Sequence, residues 1–454
     1  MTGKKYLNWF NKIGYGTGDV AGNMVYALLS SFIMIYLTDT VGLNAGIVGT
    51  LMAVSKIFDG ISDVFFGNMI DRTRSKMGKA RPWMLWPYIG NVICLIACFA
   101  IPMEWGDTAQ YIFFFIAYTM LNGVFFTANN IAYGALTALI TKNENERVQM
   151  GSLRFIFAFA TSLLIQSVTV DAVDFFGGGA EGWKWIAVIY ALIGLAVNTF
   201  SVFSVKELPE SELEHKKEDH TEPAEKIGYV ETAKLLFANK YFLLICGIYL
   251  LNHISNAFVG IGIFYMTYVQ GNANLLGTFA SWTNIPMIIG LLVAPSIIQK
   301  MNGMYKVNLV GYSFATFCRI MVIVGGFLQS IPMMLVFTAL CNLGMSPMQG
   351  DLNALIAACS EYTYLTKGKR VDGSMFSCTS LGVKIGGGLG TAITGILLDA
   401  SGYVNAAAVQ SASALNMLNF MYLWVPMIIS ILITVLLANM DVEKKNKQLM
   451  AHHK

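Results

Sequence analysis

The chain has 454 residues, of which 55% are hydrophobic and 13% charged. A soluble domain carries about 25% charge, so this chain has more apolar surface than its own folding can hide, and lipid must cover the rest. A net charge of +3, with Lys and Arg gathered in loops rather than along a groove, excludes a nucleic-acid binder.

A bilayer-spanning helix needs ~20 mostly apolar residues, and about twelve such runs are predicted. They lie at 14–37, 44–68, 83–103, 110–136, 150–172, 185–205, 241–268, 273–299, 306–328, 332–357, 374–399 and 416–438. Lys4, Lys5 and Lys12 lead into the first run with no small-residue cleavage site, so no signal peptide is expected. The first run holds Asp19 inside Gly14-Tyr-Gly-Thr-Gly-Asp19-Val-Ala-Gly-Asn23. The second holds Lys56, Asp59 and Asp63, whose spacing of three and four puts them on one helical stripe. The loop after it runs from Gly67 through Asp71-Arg72 to Arg81-Pro82 and resembles the G-x-x-x-D-R signature of the major facilitator superfamily. There Gly67 would permit close helix contact, and Asp71 with Arg72 would latch one conformation. Arg154 lies in the fifth run, Arg319 in the ninth, Asp351 in the tenth and Lys384 in the eleventh, within Gly382, Gly386, Gly387, Gly388 and Gly390. Small residues of that kind let helices approach and slide. Arg319 and Asp351 are expected to pair across neighbouring helices.

The one long polar stretch, Glu207–Glu231, reads as a solvated linker between two near-equal halves. The expected organisation is an all-α membrane protein: a six-helix bundle over 1–206, a cytoplasmic linker over 207–235, a second six-helix bundle over 236–440 and a tail over 441–454. Loop cations set the orientation. Lys4, Lys5, Lys12, the loop Asp71–Arg81, Lys142, Arg147, Lys300, Lys306, Lys367, Lys369, Arg370 and the tail lysines fall on one side. The other side has Lys184 as its single cation, against Glu104, Asp107, Asp171, Asp174 and Glu181. Both termini are therefore expected in the cytoplasm. The seven cysteines show no pairing or metal-ligand pattern and read as small core residues.

A charge at mid-membrane costs ~2.5–3.5 kcal/mol or more, so each one needs a reason. The first half buries three carboxylates, Asp19, Asp59 and Asp63, against two cations, Lys56 and Arg154. A proton, a metal cation or a partner from the other half must meet the excess, and Lys384 is the candidate for that partner. A site that is neutral only with a cation bound is the physical basis of coupled transport. Tyr26, Phe126, Tyr133 and Trp282 are candidate aromatics for the apolar face of a sugar ring.

In order along the chain come Gly-Tyr-Gly-Thr-Gly-Asp19, Tyr36-Leu-Thr38-Asp39, Lys56-Ile-Phe-Asp59-Gly-Ile-Ser-Asp63, Arg72-Thr-Arg74-Ser-Lys-Met-Gly-Lys79-Ala-Arg81-Pro82, Arg154-Phe155, Glu361-Tyr362 with Lys367-Gly-Lys369-Arg370, and Lys384 in its glycine run. This series resembles the glycoside–pentoside–hexuronide:cation symporter family over nearly the whole chain. The resemblance implies the major facilitator fold, with twelve transmembrane helices in two six-helix bundles around a central cavity. It assigns Asp59, Asp63 and Thr127 to the cation site, Lys384 to the lysine that approaches it, and Asp19 and Arg154 to sugar contacts. Ser62 stands where the melibiose carrier has an asparagine, which favours the proton over sodium as coupling ion. A buried carboxylate pair has at least one raised pKa and can carry a proton near neutral pH. Asn130 replaces a sugar-binding carboxylate, Gly134 a tryptophan and Gly18 a lysine. With less negative charge near it, Arg154 is freer to meet an anionic sugar, so a glucuronide is favoured, with a neutral xyloside or other β-glycoside as the alternative.

The expectation is a monomeric sugar:cation symporter, without a cofactor, in the cytoplasmic membrane of a bacterium. A membrane enzyme is disfavoured because no nucleophile–base motif is present and His253 stands by itself in an apolar run. A non-transporting sugar sensor is disfavoured because the segment after 440 is short.

Overall fold

The computed structural model describes residues 5–141, 143–209, 229–301, 303–369, 375 and 382–452. Among them the chain is helical throughout, with no strand. In order, the helices are α1 (Trp9–Gly16), α2 (Gly18–Ile35), α3 (Ala45–Arg72), α4 (Arg81–Cys98), α5 (Asp107–Met120), α6 (Thr127–Ile140), α7 (Glu144–Phe175), α8 (Gly179–Ser204), α9 (Tyr229–Ala238), α10 (Lys240–Val259), α11 (Gly262–Phe264), α12 (Leu275–Lys300), α13 (Met304–Phe327), α14 (Ile331–Lys367), α15 (Gly387–Ala400), α16 (Ala412–Asn419), α17 (Val425–Ala438) and α18 (Val442–His452). Ten described stretches are long and apolar enough to cross a membrane. The expected second and third spans form α3 and α4 but are not among the ten. Arg81, two prolines and Asn91 dilute α4.

Large apolar side chains stand exposed along many helices, Ile57, Trp86, Ile93, Leu192 and Leu292 among them. In water such a surface would be costly; against hydrocarbon it costs nothing, while the helices satisfy their own backbone groups.

By contacts the chain forms two units. The first holds residues 1–218 with 262–277 and 391–415; the second holds 219–261, 278–390 and 416–454. The first has a core around Tyr15, Met84, Tyr133, Leu136 and Val202. The second has one around Tyr241, Ile248, Tyr312, Met348 and Ile433.

Each unit closes a helix entrance with a glutamate. Glu207 accepts the backbone N–H groups of Lys79, Ala80 and Arg81, at 2.7, 2.9 and 3.0 Å, where α4 begins. Glu443 accepts that of Tyr305, at 2.9 Å, where α13 begins. Both satisfy donors that no helical carbonyl can reach and set negative charge at the positive end of the dipole.

Five described π-helical turns interrupt the helices, at Tyr36–Thr40, Leu121–Phe126, Tyr265–Val269, Gly382–Gly386 and Phe420–Trp424. Two of them carry related sequence, Tyr36-Leu-Thr38-Asp39 and Tyr265-Met-Thr267-Tyr268. In the first unit these turns meet: Tyr268 donates its hydroxyl to Asp39, and so does Tyr403 at 2.5 Å. Beside them Gly49 and Gly395 bring α3 and α15 together. A Cβ on Gly49 would lie 3.0 Å from the Gly395 Cα, so neither position has room for a side chain.

Candidate substrate and cation site

On α3 the half-buried Lys56, Asp59 and Asp63 share one stripe, as their spacing predicts. Asp59 meets α6, where the Thr127 hydroxyl lies 2.5 Å from its Oδ1. The π turn Leu121–Phe126 ends immediately before Thr127, and the Asn122 carbonyl lies 2.8 Å from the same hydroxyl. π turns of this kind recur at functional sites. A hydroxyl has one proton, so Thr127 serves either Asp59 or Asn122, and an ionised carboxylate is the stronger acceptor. Ser62 donates its proton to the Asp59 carbonyl at 3.0 Å, which leaves its oxygen lone pairs available to a cation. In the second unit, Lys384 is half-buried in the π turn Gly382–Gly386.

Of the candidate substrate residues, Asp19, Arg154 and Tyr133 gather around the start of α2, on the same unit. Arg154 of α7 donates from Nε to Asp19 Oδ2 at 2.7 Å and from Nη2 to Oδ1 at 3.5 Å. The sequence places these residues 135 positions apart and assigns each to the sugar; the structure also pairs them with each other. Tyr133 of α6 completes the group. Its hydroxyl lies 3.0 Å from Asp19 Oδ2 and 2.8 Å from the Tyr15 carbonyl. The Arg154 guanidinium sits 4.2 Å from the centre of its ring, a cation–π contact. The buried Tyr15 donates back to the Tyr133 carbonyl at 3.0 Å, tying α1 to α6. Among the described residues Asp19 bonds Arg154 and Tyr133, not Asn130 or Tyr26. Those two side chains are exposed, and Phe126 is half-buried beside Thr127. Trp282, in the second unit, is also exposed.

Sequence reasoning named Tyr133 as a stacking aromatic but missed its hydroxyl as a partner of Asp19. The signal was its place one turn beyond Asn130, combined with the missing side chain at Gly18. A Cβ on Gly18 would fall 2.6 Å from the Tyr133 ring.

The expected pair of Arg319 and Asp351 does not form. Asn308 donates its amide to both Asp351 oxygens, each at 3.0 Å. Arg319 instead lies with Nη2 3.7 Å from the Met345 sulfur. Asn308 stands one turn into α13, level with Asp351, whereas Arg319 is three turns further along. Of the expected latch, Arg72 is exposed at the end of α3, and the Asp71 side chain lies outside the described residues. Gly67 is not at a close helix contact: a Cβ there meets no described atom within 4 Å. Of the linker, 210–228 also lies outside the described residues.

Comparison with known proteins agrees with this picture. Residues 14–444 match the family model described as MFS/sugar transport protein. The uncharacterized symporter YnaJ of Bacillus subtilis is 28% identical, over 98% of this chain and 95% of its own. The isoprimeverose transporter of Lactiplantibacillus pentosus is 27% identical, over 94% and 87%. The glucuronide carrier protein homolog of Escherichia coli is 26% identical, over 88% and 85%. Among solved structures, a bacterial homolog of the human lysosomal transporter Spinster, inward-facing and unoccupied, superposes with a TM-score of 0.67 at 13% identity, covering 96% of this chain and 97% of that one. These relatives are transporters and not enzymes, and the fold is the major facilitator fold. The chain belongs to the MFS/sugar transport protein family, among the glycoside–pentoside–hexuronide:cation symporters that its motifs resemble.

Proposed function

We propose that the chain imports an uncharged glycoside together with a cation, by alternating access across the cytoplasmic membrane. The observation that carries this reading is the pairing of Asp19 with Arg154, 2.7 Å apart on the wall of the candidate site. The sequence favours a glucuronide because it leaves the guanidinium unopposed. Once Asp19 meets that guanidinium, the pair has no net charge. It offers carboxylate acceptors and guanidinium donors side by side, a set that suits neighbouring sugar hydroxyls. An anionic sugar would have to displace Asp19 from Arg154 or lie against it. The neutral reading also accords with the isoprimeverose transporter among the relatives.

For the coupling ion the proposal is the proton, with sodium as the second reading. Asp59 and Asp63 on one stripe, with Ser62 between them, form a set whose charge a single added cation reduces. Thr127 supports Asp59 while it is ionised. Filling this set lowers the cost of closing the apolar helices around the sugar. Lys384 is proposed to serve as the internal cation that helps the empty carrier return. The loop cations support cytoplasmic termini, and each carrier is proposed to work as a monomer, with bundle boundaries at 1–206 and 236–440.

Uptake into membrane vesicles tests this directly. Methyl β-xyloside, methyl β-galactoside and a methyl β-glucuronide are offered under an imposed proton gradient and then an imposed sodium gradient. Accumulation of a neutral glycoside under the proton gradient is expected. Accumulation of the glucuronide alone would reverse the assignment of substrate charge, and accumulation only under sodium would reverse that of the ion. No flux of any glycoside would leave a sensor as the better reading.

A further inference from the structure

We infer that Tyr133 is a positioning residue that decides which oxygen of Asp19 is offered to the sugar, and that Gly18 is the small residue that makes room for it. This rests on the proposed glycoside symport and deepens it.

The two Asp19 oxygens are not equivalent. Oδ2 accepts from Arg154 Nε at 2.7 Å and lies 3.0 Å from the Tyr133 hydroxyl, whose one proton it shares with the Tyr15 carbonyl at 2.8 Å. Among the described residues, Oδ1 has only the long 3.5 Å contact from Arg154 Nη2. A carboxylate has about four lone-pair sites, so Oδ2 is well supplied and Oδ1 is the oxygen with capacity for a ligand hydroxyl. The Asp19 side chain keeps 18% of its surface exposed and Arg154 keeps 28%, so the pair faces an opening and is not sealed in the core. Tyr133, by contrast, is only 3% exposed. It is a fixed wall behind the pair rather than a stacking platform for the sugar.

Three contacts fix that wall. The hydroxyl reaches both Asp19 and the Tyr15 carbonyl. The ring face supports the guanidinium. The ring edge fills the space over Gly18, where a Cβ would come within 2.6 Å of one ring carbon and 2.8 Å of the next. Any side chain at position 18 would push the ring away from Asp19 and from under Arg154 together. A bulky cationic neighbour for Asp19 at that position and a tyrosine at position 133 are therefore sterically exclusive. This chain meets the carboxylate with a neutral phenol, which fixes its rotamer while leaving the charge balance of the pair intact. The selectivity that follows is geometric: with Oδ1 held in one direction, sugars that differ in the orientation of one hydroxyl are told apart.

The test is Tyr133→Phe, which removes one oxygen and keeps the ring under Arg154, together with Gly18→Ala, which displaces the ring and keeps the hydroxyl. Both are assayed in vesicles for driven uptake of methyl β-xyloside and methyl β-galactoside. Losing one hydrogen bond to a charged group corresponds to roughly a tenfold weakening. KM of the preferred glycoside is expected to rise by about that factor, with Vmax changing no more than about twofold, and the preference between the two sugars is expected to narrow. Gly18→Ala is expected to move KM and preference in the same direction. A merely structural tyrosine would lower the amount of folded carrier, and so Vmax, without altering the ratio between sugars. If the unmodified chain accumulates a glycoside and both variants keep its KM and its sugar preference, the inference is overturned while symport stands. If the unmodified chain accumulates no glycoside under either gradient, symport fails and this inference fails with it.

Discussion

Asp19 and Asp351 are both carboxylates carried on apolar helices, and they are met in different ways. Asp19 has a guanidinium, a phenol and a partly open surface. Asp351 is 7% exposed and takes both its bonds from the single amide of Asn308. Arg319, the cation one would have matched with Asp351, rests against a methionine sulfur instead. A charge in a membrane helix is thus not by itself a binding group. A group that pairs its charge and still opens to a ligand can do chemistry with it. A group enclosed with one neutral partner is fixing a helix contact, and α13 with α14 is that contact here.

The largest effect should come from the proposed coupling stripe of Lys56, Asp59 and Asp63. Asp59→Cys is expected to abolish uphill accumulation while downhill exchange of sugar survives, read as vesicle uptake against counterflow. Full uphill transport in that variant would remove the first half's claim to the cation. Next comes the direct contrast between the two carboxylates. Asp19→Asn should cut driven uptake by about tenfold to a hundredfold, since it strands Arg154. Asp351→Asn should leave the rate within about twofold and change only thermal stability, by roughly 1 kcal/mol. Equal losses of transport in both would erase the distinction drawn above.

The capping glutamates give a smaller version of the same comparison. Glu207→Gln weakens three charge-assisted bonds and should cost about 1–2 kcal/mol, whereas Glu443→Gln weakens one and should cost about 0.5 kcal/mol, seen as a larger fall in melting temperature for the first. The smallest effect concerns Glu146 in the first unit. Burial raises its pKa, but the Thr141 hydroxyl, the N–H groups of Leu7 and Tyr6 and the Lys12 ammonium outweigh burial, and the net shift is downward. A depressed carboxylate stabilises the fold above its unfolded pKa and loses that contribution as pH falls through the folded value. Acid melting curves should therefore steepen below the ordinary glutamate range, and Glu146→Gln should flatten them.

Much of this was legible beforehand because it rests on local spacing. The stripe of Lys56, Asp59 and Asp63 follows from helical periodicity, and the apolar runs follow from bilayer thickness. Asp19 and Arg154 were legible as charges in apolar runs, and Thr127 was reached through resemblance, all as separate residues. Their pairings were not legible, because a contact between α2 and α7 depends on packing that no single segment encodes. The π turns were hidden for a related reason. An extra residue in one turn rotates everything beyond it, so an even 3.6-residue count does not bring Thr127 toward Asp59. Arg319 and Asp351 were matched on charge alone, but depth along the helices decides, and Asn308 is the residue level with Asp351. Gly18 looked like a lost lysine until the Tyr133 ring was seen to fill its place.

The meeting of Asp39 and Tyr268 has a consequence for how two similar turns can touch. They hold the same place in two copies of one turn, Tyr36–Thr40 and Tyr265–Val269, and they bond to each other. If two identical copies met there, like would face like: two carboxylates that repel, or two phenols without a charged acceptor. The two turns avoid this because one supplies the acceptor and the other the donor. Exchanging the two, as Asp39→Tyr with Tyr268→Asp, should restore the bond between the turns that either change breaks when made singly, but not the one that Tyr403 donates to Asp39.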